Sequence, residues 1–348
     1  MPIVQHTALR PFGYALFEAA GVPADQARVV MDHLVEANLM GHDSHGVLHL
    51  AGYTRALLAG NIKPVGGQKV VRETPVSLVI DANQSFGIAL AYQAMQMAVD
   101  RAKEHTLGAV AVHRSSHIGR LGAFPPLAAA QDCIGVLMLN GGGRFAAPFG
   151  GTARRLPPNP IAISVPTRNG PAMMLDITTS MVAGGKVLVQ QSRNQPVPEG
   201  WLVDIHGNTV TDPGPFIKGE AAMLPLGGAL GHKGYGLAMM IDAIAGGLSW
   251  AGCSSDAPTR GGSGYLALAI KIESFIDVDE YKKEVQRLID WVKSSPTMPG
   301  VDQIYLPGEI EEVSRRKKEV TGIDVPDSIW NDIVKVAGEL KVALPAVA

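Results

Sequence analysis

Apolar residues recur at helical spacing along 24–40 (ADQARVVMDHLVEANLM), which predicts a helix with one buried face. A polar turn, GHDSHG at 41–46, interrupts the pattern; it resumes over 47–58 and stops at Gly60 and Pro64. The period then changes. Residues 76–81 read as a strand, 83–87 as a turn, 88–105 as an Ala/Met-rich helix, and 108–112 and 134–139 as two further strands, with another helix within 115–130. This β–α–β–α–β order predicts an α/β layer. Residues 140–160 (NGGGRFAAPFGGTARRLPPNP) carry no period and read as loop. Beyond them, 161–165 and 172–176 pair around Arg168-Asn169-Gly170, and 194–215 form a proline-bounded excursion. Residues 234–248 read as a buried glycine-rich helix, 264–272 as a continuously apolar strand, and 279–293 as an amphipathic helix with Val285, Leu288, Ile289 and Val292 on one face. A charged helical tail begins near 311.

Composition narrows the class. With 348 residues, two or three lobes are expected, and 46% hydrophobic against 18% charged residues excludes a disordered chain. A net charge of -2 without a basic block argues against a nucleic-acid partner. Cys133 and Cys253 are far apart and define neither a disulfide framework nor a cysteine zinc site, so a reducing cytoplasm is the expected home. No secretory signal pattern precedes Arg10, and the most apolar stretches, such as 237–248, are interrupted by Asp242 and too short to span a bilayer; no membrane partner is expected. The 40 glycines and 24 prolines imply many turns, either in a loop-rich α/β protein or in one that wraps backbone around a polar ligand.

Five segments could carry chemistry. In Gly41-His42-Asp43-Ser44-His45-Gly46, a histidine able to exchange a proton near neutral pH sits beside a serine that could orient it; alternatively Asp43 or Ser44 only caps the next helix. His113 to Arg120 (HRSSHIGR) follows a strand end, where α/β folds bind ligands, and could hold an anion or be a capping turn. His113 and His117 have the i, i+4 spacing of a zinc helix, but no glutamate follows His113 and no third ligand is evident, so no metal is expected. Asp176-Ile177-Thr178-Thr179-Ser180 with Gly184-Gly185-Lys186 could bind ribose hydroxyls and phosphate or form an N-cap cluster. Gly231-His232-Lys233-Gly234 resembles an anion-binding helix start, and Leu306-Pro307-Gly308-Glu309 a type-II-like turn after a strand. Two formal matches to the dinucleotide fingerprint, 141–146 and 262–267, do not qualify. The first runs into Pro148 and further glycines, and the second into a strand, whereas the fingerprint must open a helix.

In combination these segments are specific. DSHGV (43–47), SSHIG (115–119), APFGG (147–151), NPIAISVP (159–166), LDITTSMVAGGK (175–186), PEGWLVD (198–204), LPLGG (224–228), GHKGYGLAMMIDAIAGGLS (231–249) and SSPTMPGVDQIYLPGE (294–309) resemble, in this order, the malate/L-lactate dehydrogenase-like oxidoreductases. The resemblance implies an α/β, non-Rossmann fold of the malate/L-sulfolactate dehydrogenase type. It comprises a helical domain (1–75 and 304–348), a mixed-sheet nicotinamide-binding domain (76–120 and 175–303) and a small inserted domain (121–174). It implies hydride transfer between NAD or NADP, with NAD favoured, and a 2-hydroxy/2-oxo acid, the alternative being reduction of a cyclic imino acid or of a substrate without the usual carboxylate. It also implies a small-molecule substrate and a homodimer.

The resemblance further implies residue roles. His45, supported by Ser44, is the catalytic acid/base, and His117 serves catalysis or the cofactor. Ile118, Gly119, Arg120, Asp176, Ile177, Thr178, Gly184, Gly185, His232, Lys233, Pro307, Gly308 and Glu309 are cofactor contacts, and His49, Arg144 and Asn159 substrate contacts. Three positions depart from the family pattern: His49 where relatives carry a carboxylate-gripping arginine, Pro158 where threonine is usual, and Gly184 where arginine is usual. Histidine lacks the planar, always-charged fork of arginine, so Arg120 and Arg144 are the candidates to supply the missing charge.

Overall fold

Strands separated widely in sequence assemble into one seven-stranded sheet whose central strands are largely buried. A computed structural model describes residues 1–141, 143–256 and 262–347. In chain order the elements are β1 (Ile3–Val4), α1 (His6–Ala19), α2 (Ala24–Leu39), α3 (Leu50–Leu58), β2 (Lys69–Glu73), β3 (Ser77–Asp81), α4 (Gly87–His105), β4 (Leu107–Ser115), α5 (Pro126–Ala129), β5 (Cys133–Asn140), β6 (Ile161–Val165) and β7 (Met173–Ile177). There follow α6 (Gly184–Ser192), β8 (Leu202–Asp204), β9 (Thr209–Val210), α7 (Gly214–Lys218), β10 (Ala221–Met223), α8 (His232–Ile241), β11 (Ser263–Lys271), α9 (Val278–Lys293), α10 (Glu309–Thr321), β12 (Ile323–Asp324) and α11 (Asp327–Glu339).

The large sheet has the order β2-β3-β4-β11-β5-β6-β7. Only β3 and β4 are parallel, joined by the α4 crossover that a parallel pair requires. β11 pairs antiparallel with both β4 and β5, and its nearly continuous apolar run follows from that central position. The main core lies between α4 and the sheet and continues through α1, α2, α3 and α11. The chain ends meet where β1 pairs with β12, Val4 opposite Ile323.

Several expectations are corrected. The segment 121–174 is not a separate insert: β5, β6 and the start of β7 lie in the central sheet. The separate small sheet is β10-β8-β9, packed with α6 and α7 around a second core that includes Leu156, Val187, Leu202, Phe216 and Met223. Likewise β2, within 1–75, pairs with β3 in the large sheet. The expected helix within 115–130 is reduced to a turn at Leu121–Ala123 and the four residues of α5, because Pro125 and Pro126 interrupt the run. The segment 234–248 is buried on one face only. α8 passes into a π-helical turn, Asp242–Gly247, and Leu237, Met240 and Leu248 are exposed. No strand precedes the turn at Leu306.

Candidate active site

The turn after α2 forms two short 3-10 turns, Asp43–His45 and Val47–His49, before α3 begins. Asn38, at the end of α2, holds this turn: its Oδ1 accepts the Val47 N–H at 2.7 Å and its Nδ2 donates to Asp43 Oδ1 at 2.7 Å. Lys318 of α10 donates to the same Asp43 oxygen at 2.8 Å. The turn is thereby fixed against two helices, and Ser44, His45 and His49 face a cavity of about 660 Å³. His117, which follows β4, and Asp176, at the end of β7, line the same cavity.

The hydrogen bonds assign the proton positions of two of the three imidazoles. Tyr53, one turn after His49 on α3, brings its hydroxyl within 2.5 Å of His117 Nδ1, and the Gly119 N–H donates to the same nitrogen at 3.3 Å. Burial pushes the Tyr53 hydroxyl above its usual range, so it remains a donor. With two donors on Nδ1, neutral His117 carries its proton on Nε2. His49 Nε2 lies 3.1 Å from the Ser44 carbonyl, which can only accept; His49 therefore carries its proton on Nε2 too. Ser44 Oγ lies 2.9 Å from His45 Nδ1 and can serve either tautomer.

All three rings are held neutral. Burial, then the neighbouring His49, His42, His33 and Arg120, pushes His45 down to about 3. Burial and the two other imidazoles hold His117 well below its ordinary value; its accessible surface faces the cavity. Burial also lowers His49, opposed by its bond to the Ser44 carbonyl. The rings stack, His45 to His117 at 5.7 Å and His49 to Tyr53 at 5.2 Å.

The opposite wall comes from β7 and the start of α6. Ile177, Thr178, Gly184 and Gly185 line it. Gly185 packs so closely on the 43–46 turn that a Cβ there would stand 2.8 Å from Ser44 Cβ. Asp176 Oδ2 accepts the Gly122 N–H at 2.7 Å; burial raises its carboxyl while Arg120 opposes that shift. Gly119, at φ 70, packs on His33, where a Cβ would meet Nε2 at 2.2 Å, so this position is closed to other residues.

Of the residues expected from the sequence, Ser44, His45, His49, His117, Gly119 and Arg120 come together here, with Asp176 to Thr178 and Gly184-Gly185 opposite. Ile118 is buried behind the wall. Arg144 does not line the cavity and is exposed. Asn159 is fully buried, donating to the Ala238 carbonyl and to Asp242 Oδ2, both at 3.0 Å; it braces α8 and is not a cavity group. His232 and Lys233 are exposed at the start of α8, and Pro307 accepts the Met174 N–H on the outer edge of β7; with Gly308 and Glu309 these stand outside the cavity lining. Gly142, part of the rejected fingerprint, lies outside the described residues. Sequence reasoning missed Tyr53, whose i+4 spacing from His49 on a helix was the available signal, and His33, whose importance depends on a contact made across 87 residues. Among the described residues no group of three His, Cys, Asp or Glu side chains could hold a metal ion, and no helix is long and apolar enough to cross a membrane.

Comparison with known proteins identifies the family. Residues 4–334 match the model of the malate/L-lactate dehydrogenase family. A malate dehydrogenase of Pyrococcus horikoshii is 34% identical over 91% of this chain and 89% of its own length. A malate/(S)-sulfolactate dehydrogenase of Methanothermus fervidus is 34% identical over 94% of this chain and 95% of its own. The solved structure of the sulfolactate dehydrogenase from Methanocaldococcus jannaschii superposes with a TM-score of 0.89 at 33% identity, covering 98% of both chains.

Proposed function

The chain belongs to the malate/L-lactate dehydrogenase family, and from that premise we propose that it interconverts a 2-hydroxy acid and its 2-oxo acid, with His45 moving the proton. The observation that carries this reading is the cluster of neutral His45, His49 and His117 on one wall of a 660 Å³ cavity, facing Asp176 and the glycine pair of α6. A nicotinamide dinucleotide fits those residues: the Asp176 carboxylate offers an oxygen to a hydroxyl or amide, and Gly184 leaves room on the facing wall. When bound, that cofactor supplies the hydride acceptor or donor. We infer NAD ahead of NADP.

In the oxidative direction, His45 Nδ1–H donates to Ser44 Oγ, and Nε2 takes the proton of the substrate hydroxyl. A base held near 3 is in its accepting form at neutral pH. His117 Nε2–H donates to the same substrate oxygen and orients it. In reduction the proton returns from His45 to the same substrate oxygen. We further propose a cytoplasmic homodimer, supported by the exposed apolar Leu237, Met240, Leu248 and Trp250 around α8.

The test is binding of NADH and of NADPH, each followed by fluorescence, to wild type and to His45→Ala, with turnover of a panel of 2-oxo acids and cyclic imines. Both proteins are expected to bind one cofactor alike, while His45→Ala loses about 10²–10⁴-fold in kcat on 2-oxo acids. A wild type that binds neither cofactor removes this reading.

A further inference from the structure

Three Arg or Lys side chains line the cavity among its described residues: Arg120, Arg154 and Lys186. Arg154 is occupied, donating to the carbonyls of Ala221 and Phe216 and lying over the Phe216 ring at 4.4 Å. Lys186 is exposed on α6. Arg120 differs from both. It is 5% exposed, its guanidinium makes no hydrogen bond to any described residue, and Nη1 is buried without a partner. Its nearest carboxylate, Asp176 Oδ2, is 4.0 Å away and already accepts the Gly122 N–H. A guanidinium cannot shed its charge to escape burial, and a buried cation with unused N–H groups is costly. The fold nevertheless fixes it: the Arg120 backbone N–H donates to His33 Nε2 at 2.9 Å, and His33 is itself stacked on Phe124 at 5.3 Å.

We propose that Arg120 is the anchor for the substrate carboxylate, taking over the task for which His49 is unsuited. This rests on the hydroxy-acid reading above and specifies the charge-binding residue within it. His49 Nε2–H is committed to the Ser44 carbonyl and its ring is neutral, so it offers a carboxylate no cation. Arg120 offers a permanent fork of donors. It stands three residues after His117 and lines the same cavity as His45 and His117, so a carboxylate bound to it shares that cavity with the groups that handle the adjacent oxygen. The groups that bear on Arg120 are His33 of α2, Tyr92 of α4, Asp176 of β7, Glu311 of α10 and His45 of the catalytic turn.

The test uses oxamate, a 2-oxo acid mimic, titrated calorimetrically into NADH-saturated protein, with NADH binding measured separately. For Arg120→Lys, which keeps the charge but loses the fork, oxamate is expected to bind at least tenfold more weakly, and for Arg120→Met at least a hundredfold, while NADH affinity changes less than threefold. In wild type, oxamate affinity is expected to be level from pH 6 to 9, because guanidinium does not titrate there. A tenfold loss per pH unit above 6 would instead identify an imidazolium anchor and overturn the proposal, even if neither variant folds. Lost NADH binding with oxamate binding kept overturns it in favour of a cofactor phosphate. Wild type that binds NADH but not oxamate, or variants that bind oxamate as wild type does, also overturn it. Those results leave the dehydrogenase reading intact, whereas wild type that binds neither NADH nor NADPH removes both.

Discussion

The two walls of the cavity are built on opposite plans. On the imidazole wall, Asn38, Lys318 and Tyr53 tie down the backbone and rings, and each has a partner that leaves it one orientation. The facing wall begins α6 on a glycine pair. No side chain caps that helix, Val187 packs beneath it, and Leu188 is 54% exposed. The difference follows from what each wall must do. Proton transfer needs a nitrogen in one tautomer at one position, since a misplacement of about 1 Å costs roughly a hundredfold in rate. A wall that only admits and covers a long ligand needs room, and room means few fixed contacts.

The comparison can be tested by loading the rigid wall with charge. His33, His45, His49 and His117 all have folded values below the unfolded 6.5. Their stabilisation is complete above pH 6.5 and is lost as pH falls toward the folded values, because the unfolded chain takes up the protons first. His33, 2% exposed and accepting the Arg120 N–H, contributes the largest share, up to roughly 1 kcal/mol per pH unit below its unfolded value. The more open rings add less. Urea midpoints are expected to drop steadily from pH 7 to 5; a constant midpoint over that range would show that the rings are charged or solvated in the folded protein.

A smaller change sharpens the contrast on the same wall. Tyr53→Phe keeps the ring against Phe86 but removes the donor to His117 Nδ1. The loss of one bond to a buried group is worth about 2 kcal/mol, roughly thirtyfold in kcat/KM. Because the role is positioning, KM for the 2-oxo acid is expected to rise with little change in cofactor affinity; steady-state kinetics beside NADH titration check this. The smallest effect belongs to the open wall. Ala183→Asp adds an N-cap to α6, and about 0.5–1 kcal/mol of stability is expected, read as a rise in Tm. An unchanged Tm would mean that the start of α6 is already satisfied.

The sequence made the local parts legible. The 3.6-residue period of 24–40, the β–α–β run through 76–112 and the polar turn at 41–46 correspond to α2, to β3-α4-β4 and to the catalytic turn, since each is decided by neighbours in the chain. The order of motifs carried the family. What stayed hidden was set at a distance. Nothing in 263–271 specifies insertion between β4 and β5, and the strands of 202–223 are too short for a period-two signal. Apolar content in 234–248 suggested burial, yet composition alone does not name the partner that covers a face. Arg144 and Asn159 were separated from Arg120 only by where their loops lead, one outward and the other into the network under α8.

The late insertion of β11 also governs how the molecule is made. Until residue 271 has left the ribosome, β4 and β5 each present an unpaired edge, and the sheet exists as two halves with no shared ladder. Such edges invite pairing with other chains. The nascent protein is therefore most vulnerable when the residues of its active site are already synthesised but its last central strand is not. A chain truncated between β7 and β11 would carry His45, His117 and Asp176 and still have no closed sheet to hold them together.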